Sequence, residues 1–247
     1  MGFKSRRSVV TGPVAASSML RCLRIWPSPD ARRWVSSFAT KVCADPNTLA
    51  LVAIGSIVRD VTVVQDVDLV YIYRSHPPDV SGHPLDVDVR VYDGGEVPDL
   101  IAGGHDLLGW AMRYGVLICE HDGCWTRLKA KWRGGPPLPD PRIAETRAVR
   151  AEAFYRDFSQ IGDRDAAQEQ LVSLLTHRAW ARLLRAGVYP ASRPELAEQL
   201  RGIGDRSLAK RIDRLLGQRA CERRSLPVRP VAERRRASLP KERATTP

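Results

Sequence analysis

Three apolar runs between residues 50 and 92 carry a Gly-Ser turn and clustered carboxylates, and they constrain the chain more than any other feature of it. The first is Ala50-Leu-Val-Ala-Ile-Gly55-Ser56. The second is Asp66-Val67-Asp68-Leu-Val-Tyr-Ile-Tyr73, and the third is Leu85-Asp86-Val87-Asp88-Val89-Arg90-Val91-Tyr92. Runs this rich in Val, Ile, Leu and Tyr read as buried strands. A carboxylate set among them is costly to bury unless something binds it. Asp66 and Asp68 are two apart on one strand, so both point to one face, and Asp86 and Asp88 repeat the pattern on the next. If the two strands are neighbours, three or four carboxylates converge. Hard oxygen donors of that kind suit Mg²⁺ or Mn²⁺.

Charge places a second limit. Of the net +11, residues 1–33 hold seven Lys/Arg against one Asp, and residues 218–247 hold nine against three Glu. The body between them is left at −1. The basic character therefore belongs to the ends, which read as disordered tails over 1–28 and 218–247 and leave nucleic acid open as a partner. A near-neutral body argues against an extended nucleic-acid surface. No apolar run is long enough to span a membrane, and no membrane partner is expected. The N-terminal run is broken by Gly12, Pro13 and two serines, unlike a signal peptide. Five cysteines without a CxxC pair fit a reducing, cytoplasmic setting, and the spacing of Cys119, His121 and Cys124 fits no common zinc pattern.

Along the chain, a helix is predicted from about Asp30, with Trp34, Val35, Phe38 and Val42 on one face. Strands follow over 49–54, 67–73 and 85–92. Residues 98–114 read as one or two helices broken at Gly103-Gly104, 116–119 as a short strand, and 125–132 as another helix. Gly134-Gly-Pro-Pro-Leu-Pro-Asp-Pro141 is a linker. Beyond it all is helical: 144–158, 165–185, a helix opened by the capping-box pattern Ser192-Arg-Pro-Glu195, and a last helix capped by Asp205 and stopped at Gly217. The resulting units are 29–135 and 143–217. His105 and His177 read as structural, and Trp110, Trp125 and Trp180 as core.

The spacing Gly55-Ser56, nine residues, Asp66-x-Asp68 resembles the signature of the polymerase-beta-like nucleotidyltransferase superfamily, and most of all its kanamycin-type and minimal members. Arg59 matches their Gly-Ser-x-x-Arg, and Val87-Asp88-Val89-Arg-Val-Tyr92 resembles their third acidic strand. The resemblance implies an α+β fold, with a small mixed sheet flanked by helices and followed by an all-α bundle. It implies that Gly55, Ser56 and Arg59 bind the nucleotide. It assigns Asp66, Asp68 and Asp88 as catalytic metal ligands, with Asp86 as the alternative to Asp88, and Mg²⁺ or Mn²⁺ as cofactor. The substrate is then a nucleoside triphosphate, and the acceptor is a small molecule, a protein or a tRNA end. A carboxylate of the helical half, Glu152, Asp163, Asp165 or Glu169, would serve as base. The oligomeric state is open.

Two departures keep other readings in view. Many members have a glycine soon after Gly-Ser-x-x-Arg and a serine before the first metal acid. Here those places hold Asp60-Val-Thr-Val-Val64 and Gln65. The apolar 61–64 segment fits a catalytically silent nucleotidyltransferase fold that binds a nucleotide or a partner. The tails fit a basic nucleic-acid-binding protein whose acids are incidental.

Overall fold

The structure, a computed structural model, describes residues 20, 23–59, 64 and 66–225, with side chains through 217. The expected tails over 1–28 and 218–247 therefore fall largely outside the described residues.

Helix α1 (Pro29–Ala44) begins one step before the expected Asp30 cap. Ser28 is the cap: extended at φ −151, it accepts a bond from the Ala31 N–H at 3.0 Å, and Pro29 supplies the first-turn φ. The apolar face closes over Val35, Phe38, Ala39 and Val42. Strand β1 (Thr48–Ile54) is buried at six of its seven positions, as a strand covered on both faces must be. A 3₁₀ turn (Gly55–Val58) follows, then β2 (Val67–Tyr73) and β3 (Val87–Asp93). Strand β3 starts two residues later than its alternation predicts. Leu85 is fully exposed, and Asp86 sits in the turn before the strand. The carbonyl of Asp86 accepts from the Val67 N–H at 2.8 Å, so its backbone starts the ladder and its side chain lies off the strand. The rest of the first unit is α2 (Val97–Ala102), α3 (Asp106–Tyr114), β4 (Val116–Glu120) and α4 (Cys124–Lys131).

The sheet is mixed, in the order β3-β2-β1-β4, with β1 antiparallel to β2 and β4 and β2 parallel to β3. One face packs on α1, with Leu51, Ala53, Leu69 and Tyr71 against Val35, Phe38 and Val42. The other packs on α2, α3 and α4, with Val52, Ile54, Val70 and Ile72 against Ile101, Leu108, Trp110, Met112 and Trp125. The fold is α+β. Cys43 at the end of α1 is joined to Cys119 of β4 by a disulfide across 76 residues. This corrects the expectation of reduced thiols. An odd count without CxxC says nothing about cysteines that the sheet brings together. Among the described residues Cys124 is a free thiol, and no described helix is long and apolar enough to cross a membrane.

After the linker come α5 (Pro141–Gln160), α6 (Arg164–Arg185), a 3₁₀ turn (Arg193–Glu195), α7 (Leu196–Gly202) and α8 (Arg206–Ser225). The interface of α5 with α6 is built on alanines, Ala148 and Ala151 against Leu174. A larger cluster joins α6 to α7 and α8 through Leu175, Leu183, Leu196, Leu200 and Ile212. Helix α8 continues past Gly217, the expected stop, to Ser225. Gly217 does not take a positive φ there. A mid-helix glycine costs only about 1 kcal/mol, which its helix-forming neighbours absorb.

Tyr189, between α6 and α7, plugs the helical half into the sheet half. It is buried within the α3 cluster, and its hydroxyl donates to the Asp106 carbonyl at 2.9 Å. Gly109 of α3 makes room for it, since a Cβ there would collide with the Tyr189 hydroxyl. Replacing a buried aromatic of this kind by alanine costs about 3–5 kcal/mol, and losing only the hydroxyl bond about 1 kcal/mol. Urea denaturation should therefore rank wild type, then Tyr189→Phe, then Tyr189→Ala, and equal losses for the two variants would exclude the packing role. Closing a 76-residue loop is worth about 4 kcal/mol in chain entropy. Cys43→Ala with Cys119→Ala should then melt several degrees lower than wild type under non-reducing conditions and match it in reductant.

Candidate active site

The ends of three strands meet at one point. In the register of the sheet, Ile54 of β1 lies opposite Asp68 of β2, and Asp68 lies beside Asp88 of β3. Because β2 and β3 run parallel, the Asp-Val repeats at their starts fall side by side. Asp66 stands exposed just before β2, and Asp68 and Asp88 are the second residues of their strands, both half-buried. Asp68 shares its face with Val70 and Ile72, the side covered by α3.

Gly55 explains the contact between the turn and this cluster. Its φ is +76, and a Cβ built there would collide with Asp68 Oδ2. The sharp exit from β1 is therefore open to glycine only. It brings the Gly55–Val58 turn against the Asp68 carboxylate. Ser56 follows in that turn, half-buried, with its carbonyl accepting from Arg59 N at 3.1 Å.

Electrostatics marks Asp68. Burial, then the charges of Asp66 and Asp88, push its carboxyl up to about 7, while Arg90 and Arg193 pull the other way. Arg90 also engages Asp88 directly, Nη2 to Oδ2 at 2.6 Å. Among the described residues no three His, Cys, Asp or Glu side chains already surround a common point as an ion site would require. Three carboxylates, those of Asp66, Asp68 and Asp88, nevertheless stand at adjacent strand ends, Asp68 half-buried among like charges.

The carboxylates offered by the helical half are placed elsewhere. Glu152 pairs with Arg178 and Arg156 at 3.0 and 3.1 Å. Asp163 caps α6, accepting from Ala166 N. Asp165 and Glu169 are exposed on α6. None of the four is among the charges that shift Asp68.

A carboxylate of the helical half that does reach the sheet half is that of Glu195. Its carboxylate accepts from Arg59 Nε at 3.0 Å and from Arg59 Nη2. It also accepts from the backbone and hydroxyl of Ser192, so the expected capping box is present. Burial would raise the Glu195 carboxyl, but the bonds from Arg59 and Ser192 outweigh it and hold it below the ordinary value. The Arg59 guanidinium lies over Tyr114 of α3, 4.8 Å from the ring centroid. Arg193, two residues before Glu195, is the cation that Asp68 feels from the helical half. Sequence reasoning found Ser192 and Glu195 as a cap and missed their second partner. The spare lone pairs of a capping carboxylate were the available signal.

A cleft of about 710 Å³ opens between α2–α3 and α5–α6, lined by Leu100, His105, Asp106, Arg147, Trp180 and Leu184 among others. It lies farther along the same sheet face. Tyr92, four residues on from Asp88, packs edge-on against His105 at 5.6 Å. His177 is half-buried beside Trp180. Burial, then the charges of Arg147 and Arg193, lower its pKa.

No family model matches the chain, and no curated protein matches it. Among solved structures it is similar to a nucleotidyltransferase-like protein from Exiguobacterium sibiricum. That similarity has 19% identity over 83% of this chain and 69% of the other, with a TM-score of 0.36. A likeness of this size leaves the assignment to the residues themselves.

A carboxyl whose pKa is raised on folding stabilises the fold fully below its unfolded value and loses that contribution as pH rises through its folded value. For Asp68 the window runs from the ordinary carboxyl value of 3.8 to about 7. The wild-type protein should lose stability across that window, on the order of 3 kcal/mol from this group. Asp68→Asn should flatten the loss and melt higher than wild type at pH 8. An Asn variant that tracks the wild-type profile would rule out the shift.

Proposed function

We propose that the chain is a metal-dependent nucleotidyltransferase, which moves a nucleoside monophosphate from a nucleoside triphosphate to a hydroxyl of an acceptor and releases pyrophosphate. The observation that carries this is the meeting of Asp66, Asp68 and Asp88 with the Gly55-Ser56 turn at adjacent strand ends. Asp66, Asp68 and Asp88 would hold Mg²⁺ or Mn²⁺. An ion held there would supply positive charge at the phosphoryl oxygens and the acceptor hydroxyl. Gly55 lets the backbone come close, and the N–H groups that open the turn, with the Ser56 hydroxyl, would bind the phosphates. Arg59 from the sheet half and Arg193 from the helical half would add cationic charge. The acceptor is a small molecule, a protein or a tRNA end.

One observation favours a second reading, a silent fold that binds a nucleotide or partner without turnover. Val64 is buried in the α1 core, so the apolar segment that replaces the usual glycine packs at that end. Residues 60–63 lie outside the described residues, as does most of the basic ends on which a nucleic-acid-binding role would depend.

Incubation with α-labelled nucleoside triphosphates, Mg²⁺ or Mn²⁺ and cell extract tests the proposal. Label should enter one size class, small molecule, RNA or protein, and chelation should abolish it. Asp66→Asn with Asp68→Asn should lower labelling by roughly a thousandfold. Labelling that survives the double substitution would sink the metal-dependent mechanism, and metal-indifferent nucleotide binding without labelling would favour the silent fold.

A further inference from the structure

Arg59 is held from both sides. Glu195 takes its Nε–H and one Nη2–H, and Tyr114 supports its plane. Both supports are themselves fixed. Glu195 is tied to Ser192 within the capping box, and the Tyr114 hydroxyl donates to the Tyr189 carbonyl at 3.4 Å. A guanidinium carries five N–H donors in one plane. The side-on pairing with Glu195 uses two and, among the described residues, leaves the end-on fork, both N–H of Nη1 and the second of Nη2. The Arg59 side chain is 28% exposed, so it is not sealed from solvent. A planar fork of this kind matches two oxygens of a phosphate.

We propose that Glu195 and Tyr114 are positioning residues that clamp Arg59 so that its unused fork faces the triphosphate. Phosphate recognition then depends on contact between the sheet half and the helical half. This rests on the nucleotidyltransferase reading and adds to it that the phosphate site is completed by the 192–195 turn. Side-on pairing distinguishes a clamp from a lock. A lock would occupy the fork and would have to be broken by the nucleotide.

Calorimetric titration of the full chain with inorganic tripolyphosphate, with and without Mn²⁺, tests the clamp. Arg59→Ala should weaken binding by about tenfold. Glu195→Gln and, independently, Tyr114→Leu should each weaken it several-fold, whereas Glu198→Gln, at an exposed acid on α7, should bind as wild type does. The decisive reading is the double-mutant cycle. In the Arg59→Ala background neither Glu195→Gln nor Tyr114→Leu should weaken binding further, because a positioning residue acts only through Arg59. Equal losses in both backgrounds would mean a merely structural role and overturn the clamp. Unchanged or tighter binding by Glu195→Gln, as a lock predicts, or an indifferent Arg59→Ala, would also overturn it. The outcome for the metal reading is separate. If the cycle behaves as stated but binding ignores Mn²⁺ and the Asp66→Asn, Asp68→Asn substitutions, the clamp stands and the metal-dependent mechanism falls. Absence of tripolyphosphate binding by wild type under both conditions would remove both.

Discussion

The parallel pairing of β2 with β3 is the constraint on which the candidate site depends. Antiparallel pairing would send the two Asp-Val repeats to opposite ends of the sheet. Parallel pairing sets Asp68 beside Asp88 and concentrates like charge at one edge. The cost is visible in the raised carboxyl of Asp68. Arg90 and Arg193 offset part of it, one from the same sheet and one from the helical half. A fold that needed only stability would fill these positions with apolar residues, as it does at Val67, Leu69 and Val87.

The two halves meet through unlike devices. Tyr189 is an apolar plug with one hydrogen bond, received by backbone. Arg59 and Glu195 form a charged contact with a stacked aromatic beneath it. Burial of the first contributes adhesion. A partly buried ion pair gains little net stability, because desolvation offsets its attraction, but it does fix the position of a guanidinium. Gly109 and Gly55 play matching parts, each removing a Cβ so that a polar group, Tyr189 in one case and Asp68 in the other, can come close.

Local patterns carried much of the fold in the sequence. The strands at 49–54 and 67–73, the break at Gly103-Gly104 and the two long helices after the linker follow from apolar period and from Gly/Pro punctuation. Where local pattern misled, a contact outside the window decided. The alternation of Leu85-Asp86-Val87-Asp88 extends two residues past the strand, because the β3 ladder begins only where the Asp86 carbonyl meets Val67. Gly217 looks like a terminator and is absorbed within α8. For the site, Gly55, Asp66, Asp68 and Asp88 could be singled out because their spacing is short and their strands are adjacent. Glu195 could not be matched to Arg59, since 136 residues separate them and its capping role already accounted for its presence. Cys43 and Cys119 were unreadable for the same reason.

That disulfide has a topological consequence. Its loop begins in α1 and closes in β4, and so encloses β1, β2 and β3 with every strand-end acid and the Gly55-Ser56 turn. A backbone cleavage anywhere between residues 43 and 119 would leave the two pieces covalently joined. A nicked molecule would migrate at full length until reduced, and its severed strands would remain tethered beside the partners with which they pair.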